Sequence, residues 1–259
     1  MKKTALITGA SKGIGLELAG IFAKNGNNLV LVARSGRDLE IIKKIFEEKQ
    51  DVSVEIIVKD LSQLNAAKEV YDEVKNKGIE IDYLVNNAGF GYYGEFTVTN
   101  WERYRRMIEL NVTALTEFCH LYLKDWSARG SGKILNVSST SAFQPGPMMA
   151  VYFATKAYVL HLSEAIGYEV KDKGITVTTL CPGPTDTNFG NESNMHASDL
   201  VKNVRIASAK HVAELGYKAM MNGKPVVIEG AANKVIANSV RFAPRSLVTK
   251  LSGMIMRRS

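Results

Sequence analysis

The sequence predicts a single doubly wound α/β domain, with about seven parallel strands and helices on both faces. Three observations predict it. Strand-like runs alternate with stretches of helical period from one end of the chain to the other, and the strand runs are continuously apolar. In addition, no linker, repeat or composition break divides the 259 residues, of which 46% are hydrophobic and 23% charged. Continuous apolar runs are what strands buried on both faces require, and helical crossovers are what join parallel neighbours.

The β-branched and aliphatic runs fall at 4–8, 29–32, 54–58, 81–85, 133–137, 175–180 and 225–228. Helical period appears between them at 14–24, 39–48, 66–76, 101–126 and 151–171. Between the sixth and seventh strand runs, residues 185–209 are polar, with Asn188, Ser193, Asn194 and Ser198. That stretch lies beyond the carboxyl end of a strand, where a lid over a ligand is expected. The last segment, 231–259, breaks at Pro244 and resumes with Leu247, Val248, Leu251, Met254 and Ile255, an apolar stripe at helical spacing.

Charge and cysteine content exclude several classes. The net charge is +7, but Lys234, Arg241, Arg245, Lys250, Arg257 and Arg258 all lie in 231–259, which holds no acidic residue, so the preceding body carries only +1. A nucleic-acid binder would spread its basic face over the body, and no nucleic-acid partner is expected. Cys119 and Cys181 are 62 positions apart with no C-x-x-C, which reads as two buried thiols in a reducing, cytoplasmic setting. No apolar run is long enough for a membrane span or a signal peptide. The four histidines are scattered and unmatched by carboxylates at ligand spacing, so no metal is expected. No G-x-S-x-G elbow supports hydrolysis.

The first strand run ends in Thr8-Gly9-Ala10-Ser11-Lys12-Gly13-Ile14-Gly15, and an amphipathic helix follows. Such glycines let backbone approach a pyrophosphate and aim the helix N-terminus at its charge; a turn made only for tight packing is the alternative. At the end of the second strand an acidic residue would select NAD through its 2′-hydroxyl. Arg34 stands there instead, followed by Ser35, and a guanidinium would grip a 2′-phosphate, with Lys12 adding a second cation. NADP(H) is therefore the expected cofactor. Solvated Arg34 and Lys12, with Asp38 selecting NAD, is the competing reading.

Tyr152 and Lys156 are four apart in a helical stretch and share a face, so the ammonium is expected to lower the phenol pKa and fit it for proton transfer. Ser139, 13 residues earlier and just past the fifth strand, offers a hydroxyl to a carbonyl oxygen on which charge develops, while its neighbour Ser138 should turn away. Asn111 sits deep in the 101–126 helix, where its propensity is poor.

Taken together, these motifs resemble the short-chain dehydrogenase/reductase family over nearly the whole chain. The resemblance rests on T-G-x-x-x-G-I-G, Asp60-Leu61, Asn86-Asn87-Ala88-Gly89, Asn111, Ser139, Tyr152-x-x-x-Lys156 and Pro182-Gly183-Pro184-Thr185-Asp186-Thr187, in order and at matching intervals. Length and the Pro244-Arg245-Ser246 tail are similar to the bacterial group often called DltE-type. The resemblance implies a Rossmann-type domain over 1–230 with a substrate lid at 185–209, followed by a basic amphipathic extension at 231–259. It implies cofactor contacts from Gly9, Ser11, Lys12, Gly13, Ile14, Gly15, Arg34, Ser35, Asp60, Leu61, Asn87, Ala88, Gly89, Tyr152, Lys156, Pro182, Gly183, Thr185 and Thr187. It also implies a proton relay in which Asn111 links Lys156 to solvent.

The implied reaction is NADPH-dependent reduction of an apolar ketone, aldehyde or 3-oxoacyl compound, or its reverse. Phe90, Tyr93, Phe143 and Phe189 are the expected substrate-pocket residues. A homodimer is expected and a tetramer allowed. The basic tail has three open uses: packing on its own body or a sister subunit, peripheral attachment to an anionic membrane, or docking of an acidic carrier or coenzyme A phosphates. An NADP-binding sensor or scaffold without turnover is the rival from another class.

Overall fold

The computed structural model describes residues 2–187 and 206–256. Seven strands form one wholly parallel sheet: β1 (Thr4–Thr8), β2 (Asn28–Ala33), β3 (Val54–Val58), β4 (Tyr83–Asn86), β5 (Gly132–Val137), β6 (Ile175–Cys181) and β7 (Val226–Ile228). Their spatial order is β3-β2-β1-β4-β5-β6-β7. The order reverses between β1 and β4, which pair from Ala5 opposite Tyr83 to Ile7 opposite Val85. This reversal opens a crevice at the carboxyl ends of the strands, where open α/β sheets bind ligands.

Side chains alternate across the sheet, so each strand feeds two cores. Leu6, Val30, Val32, Leu84 and Ile134 face one side. There they meet α3 (Ala66–Asn76), α5 (Leu115–Arg129) and α6 (Ala150–Glu169) through Val70, Phe118, Tyr122, Trp126 and Val159. Ala5, Ile7, Leu29, Leu31, Val85 and Leu135 face the other, against α1 (Gly13–Lys24), α2 (Gly36–Lys49) and α7 (Ala209–Met221) through Leu18, Phe22, Leu39, Val212 and Met220. Trp126 also donates its indole N–H to the Ile81 carbonyl at 2.9 Å, fixing α5 to the start of β4.

The helix expected over 101–126 is present with a defect: α4 (Trp101–Ile108) passes into α5 through a π-turn, Glu109–Ala114, that contains Asn111. Beyond β7 lie α8 (Ala231–Ser239) and α9 (Arg245–Met256), broken around Pro244 as the sequence suggests. Thr185–Asp186 pairs with Ala207–Ser208, so the two ends of the expected lid meet; its middle, including Phe189, lies outside the described residues. Cys119 and Cys181 are free and buried, and burial pushes both thiols up to about 12.

Candidate active site

The carboxyl ends of the central strands open into one cavity of about 1410 Å³. At one end lies the glycine turn. Gly9 has φ +65°, and a Cβ there would come within 2.8 Å of Asn87 Nδ2. A Cβ on Gly15 would collide with the Gly9 carbonyl, so α1 begins hard against the turn and Gly15 is buried behind the cavity wall. Thr8 organises this corner: its hydroxyl accepts from the backbone N–H groups of Asn87 and Ala88 at 3.0 Å, and Asn87 Nδ2 donates to the Thr8 carbonyl at 2.9 Å. The first turn of α1 carries no acidic residue, and its N-cap, Lys12, makes no side-chain cap. Its N-terminal N–H groups are thus left to an anion.

Exposed Lys12 and Arg34 both line this end of the cavity, with Ser11, Gly13, Ile14 and Leu61. Asp38 does not line it. Neither does Ser35, whose Oγ accepts from Asp38 N–H at 3.3 Å and caps α2; this corrects the expectation that Ser35 faces the cofactor. Asp60 is held by Ser62, whose N–H and hydroxyl donate to it at 3.0 and 2.7 Å, and by Arg106 Nη2 at 2.9 Å. Burial pushes the Asp60 carboxyl up, but the Ser62 bonds and the Arg106 and Arg34 charges hold it below its ordinary value. A glycine turn against an uncapped helix start, followed by two cations and a clamped carboxylate, fits a dinucleotide that carries a 2′-phosphate.

In the middle of the cavity, α6 brings Tyr152 and Lys156 beside Ser139. Ser139 is extended, accepts from Ser141 N–H at 3.1 Å and lines the cavity. Ser138, one residue back on the extended chain, points the other way and donates to the Lys156 carbonyl at 2.8 Å. Lys156 is buried, donates from Nζ to the Val137 carbonyl at 2.9 Å, and lies 5.8 Å from the centre of the Tyr152 ring. Burial pushes its ammonium down to about 8.

Burial pushes the Tyr152 phenol up to about 12, and the groups that pull it back are the Ser139 and Ser141 hydroxyls. The expected lowering by Lys156 is not met: burial dominates, and the ammonium lies 5.8 Å from the ring centre. Asn111 does not line the cavity. Its Oδ1 accepts from Phe90 N–H at 3.1 Å, and its Nδ2 donates to the Phe90 carbonyl at 2.9 Å and to Thr155 Oγ1 at 3.1 Å. A Cβ added at Gly89 would lie 3.0 Å from Asn111 Oδ1 and 3.3 Å from Lys156 Nζ, so this glycine lets the two groups approach one another.

Gly89, Pro182, Gly183, Thr185 and Thr187 complete the lining on the side of β4 and β6. Gly13 and Thr187 pack closely, since a Cβ at Gly13 would lie 3.0 Å from Thr187 Cγ2.

At the far end the walls are apolar. Phe90 lines them as expected, but two of its companions do not. Tyr93 is buried, with its hydroxyl donating to the Met256 carbonyl at 2.5 Å, so it holds α9 in place. Phe143 packs behind the cavity with Ala142, Leu160 and Cys181. Leu110, Met149, Phe153, Val248, Leu251 and Ile255 take their place on the lining. Polar residues on these walls include Gln144, whose Oε1 is buried with no hydrogen-bond partner among the described residues, and Arg103, whose guanidinium stacks 4.2 Å from the Tyr92 ring. Arg103, which nothing in the sequence marks as a site residue, reaches the lining from α4. Among the described residues no cluster of His, Cys, Asp and Glu could hold a metal ion.

Residues 3–198 match the family model described as short chain dehydrogenase. The chain is 33% identical over 211 residues to a mouse 17-beta-hydroxysteroid dehydrogenase type 3, covering 78% of this chain and 68% of that one. It is 36% identical over 186 residues to a zebrafish (Danio rerio) very-long-chain 3-oxoacyl-CoA reductase-A, covering 70% and 57%. This match spans little more than half of the relative's length. Among solved structures, a short-chain dehydrogenase from Sphingobium yanoikuyae in complex with NADPH superposes with a TM-score of 0.82 at 30% identity, covering 93% of this chain and 94% of that one.

Proposed function

Because the chain belongs to the short-chain dehydrogenase/reductase family, we propose that it is an NADPH-linked reductase of apolar carbonyl compounds, working on a ketone, aldehyde or 3-oxoacyl group. One observation carries the reading: Ser139, Tyr152 and Lys156 meet midway along a cavity with a cationic, glycine-lined end and an apolar end. Its volume exceeds the roughly 300–1,000 Å³ of a pocket for one small ligand, leaving room for a dinucleotide and a substrate together.

When bound, the reduced nicotinamide supplies the hydride. The chain does the rest. Lys12, Arg34 and the start of α1 hold the phosphates, Asp60 and Asn87 with their neighbours line the adenosine side, and Pro182 to Thr187 bound the nicotinamide side. Tyr152 and Ser139 point hydroxyl donors at the substrate oxygen, which gains charge as the carbonyl is reduced. A phenol pushed up to about 12 is protonated at neutral pH, so Tyr152 stands ready as the acid of the reductive direction. The Lys156 charge beside it stabilises the phenolate that remains. Asn111 acts through others, fixing Phe90 and Thr155 so that Gly89 and Lys156 keep their places.

Apolar walls of Phe90, Leu110, Met149, Phe153 and Leu251 favour a bulky hydrocarbon over a sugar or small acid. Incubation with NADPH deuterated at the transferable position and a panel of aromatic ketones, steroid ketones, long-chain aldehydes and 3-oxoacyl thioesters tests the reading. Label appearing on the carbinol carbon of an apolar member is expected. Tight NADPH binding with no labelled product across the panel would contradict it and favour a sensor without turnover.

A further inference from the structure

The two C-terminal helices form one lip of the cavity: Ile236 and Ala237 of α8 and Val248, Leu251 and Ile255 of α9 all line it. Apolar side chains away from the lining are exposed too: Val235 of α8, Leu247 and Met254 of α9, and Phe242 in the turn between them, which is 90% exposed; of the lining residues, Ile236, Leu251 and Ile255 are also exposed. Cations surround them, since Lys234, Arg241, Arg245 and Lys250 are exposed and no acidic residue occurs from Ala231 onward. The nearest carboxylate before them, Glu229, is only 13% exposed and is turned toward Asn233. Across the cavity, Asn100, Glu102 and Arg103 line the opposite wall beside Trp101, itself 66% exposed; the Glu102 carboxylate there is paired with Arg105 at 2.7 Å.

Helices that expose large apolar side chains among cations alone suit the interface of a membrane carrying negative charge. Two copies meeting through the same face would oppose like charges instead. No helix among the described residues is long and apolar enough to cross a bilayer. The pinning of α9 by the Tyr93–Met256 hydrogen bond, and by Gly253 against Pro147, ties this lip to the cavity wall.

We propose that α8 and α9 dock the protein on an anionic lipid surface with the apolar mouth of the cavity against it. The docking is independent of the reductase reading. Only its consequence, direct loading of an apolar carbonyl compound from the lipid, rests on that reading.

The test is co-sedimentation of the whole chain with vesicles of phosphatidylcholine alone or mixed with phosphatidylglycerol, at low and high salt. The variants are Phe242→Ser and the combined Arg241→Gln, Arg245→Gln and Lys250→Gln; none of these residues lines the cavity. Circular dichroism and NADPH binding monitor their folding. Binding to the anionic vesicles should exceed binding to the neutral ones by about tenfold or more, and salt should weaken it. With roughly fivefold lost per cation, the triple variant should bind about a hundredfold more weakly, and Phe242→Ser should weaken attachment at any salt. Equal binding to both vesicle types, or wild-type affinity in the triple variant, would overturn the proposal. So would a concentration-dependent dimer abolished by Phe242→Ser, which would assign the face to a second copy.

Discussion

Tyr152 and Lys156 are buried together, and burial moves their acidities in opposite directions: the phenol up to about 12, the ammonium down to about 8. Both are protonated at neutral pH. As pH rises through about 8, Lys156 is the first to lose its proton and with it the charge that supports a phenolate. The rate of reduction should therefore hold level near neutrality and fall as pH passes about 8. Lys156→Arg, with a side chain that stays charged, should carry the fall to higher pH. A wild-type pH–rate profile level to about 10 would exclude Lys156 as the titrating group. Arg34 makes a separate prediction. Loss of one charge-assisted contact to a 2′-phosphate is worth about ten- to a hundredfold in affinity, so Arg34→Ala should weaken NADPH by that factor and leave NADH nearly unchanged, as fluorescence titration of both cofactors would show. These residues were legible in the sequence because the chemistry needs particular groups at fixed spacing. Their electrostatics were not, because desolvation depends on what covers the pair.

At the scale of elements, the π-turn at Glu109–Ala114 shows how a helix can serve a site it does not line. The extra residue in the turn accompanies an Asn111 side chain directed inward, where it satisfies both backbone groups of Phe90. Asn111→Ala would leave those part-buried groups unpaired at a cost of up to roughly 1–3 kcal/mol. The melting temperature should fall, and kcat should fall further than the stability loss explains, because Phe90 and Gly89 border the reacting centre. Unchanged kcat in a destabilised but folded variant would make Asn111 purely structural. Strand runs were readable because a parallel strand buried on both faces has almost no alternative composition. Phe143 and Tyr93 were misread for a related reason: aromatic residues near a site look alike in sequence, whether they face the cavity, pack behind it, or hold another element as Tyr93 holds Met256.

At the scale of the molecule, the sheet order places the six loops that follow β1 to β6 around one cavity, and the C-terminal helices supply its apolar lip. The helical period of 245–256 was readable, but the surface it would meet was not, since periodicity gives a face and not its neighbour. Arg103 was missed for the same reason, because only the packing of α4 turns it to the rim. The charge distribution follows the architecture, with a nearly neutral body and a basic lip.

In the proposed reaction this cavity reduces an apolar carbonyl compound with Tyr152 as the proton donor. The most direct measurement is single-turnover oxidation of bound NADPH by a bulky apolar ketone, comparing the unaltered chain with Tyr152→Phe. Equal NADPH affinity is expected in the two, with a loss in rate of about a hundredfold or more in the variant. Equal rates in the two proteins, or no oxidation by the unaltered chain, would contradict the proposed reaction.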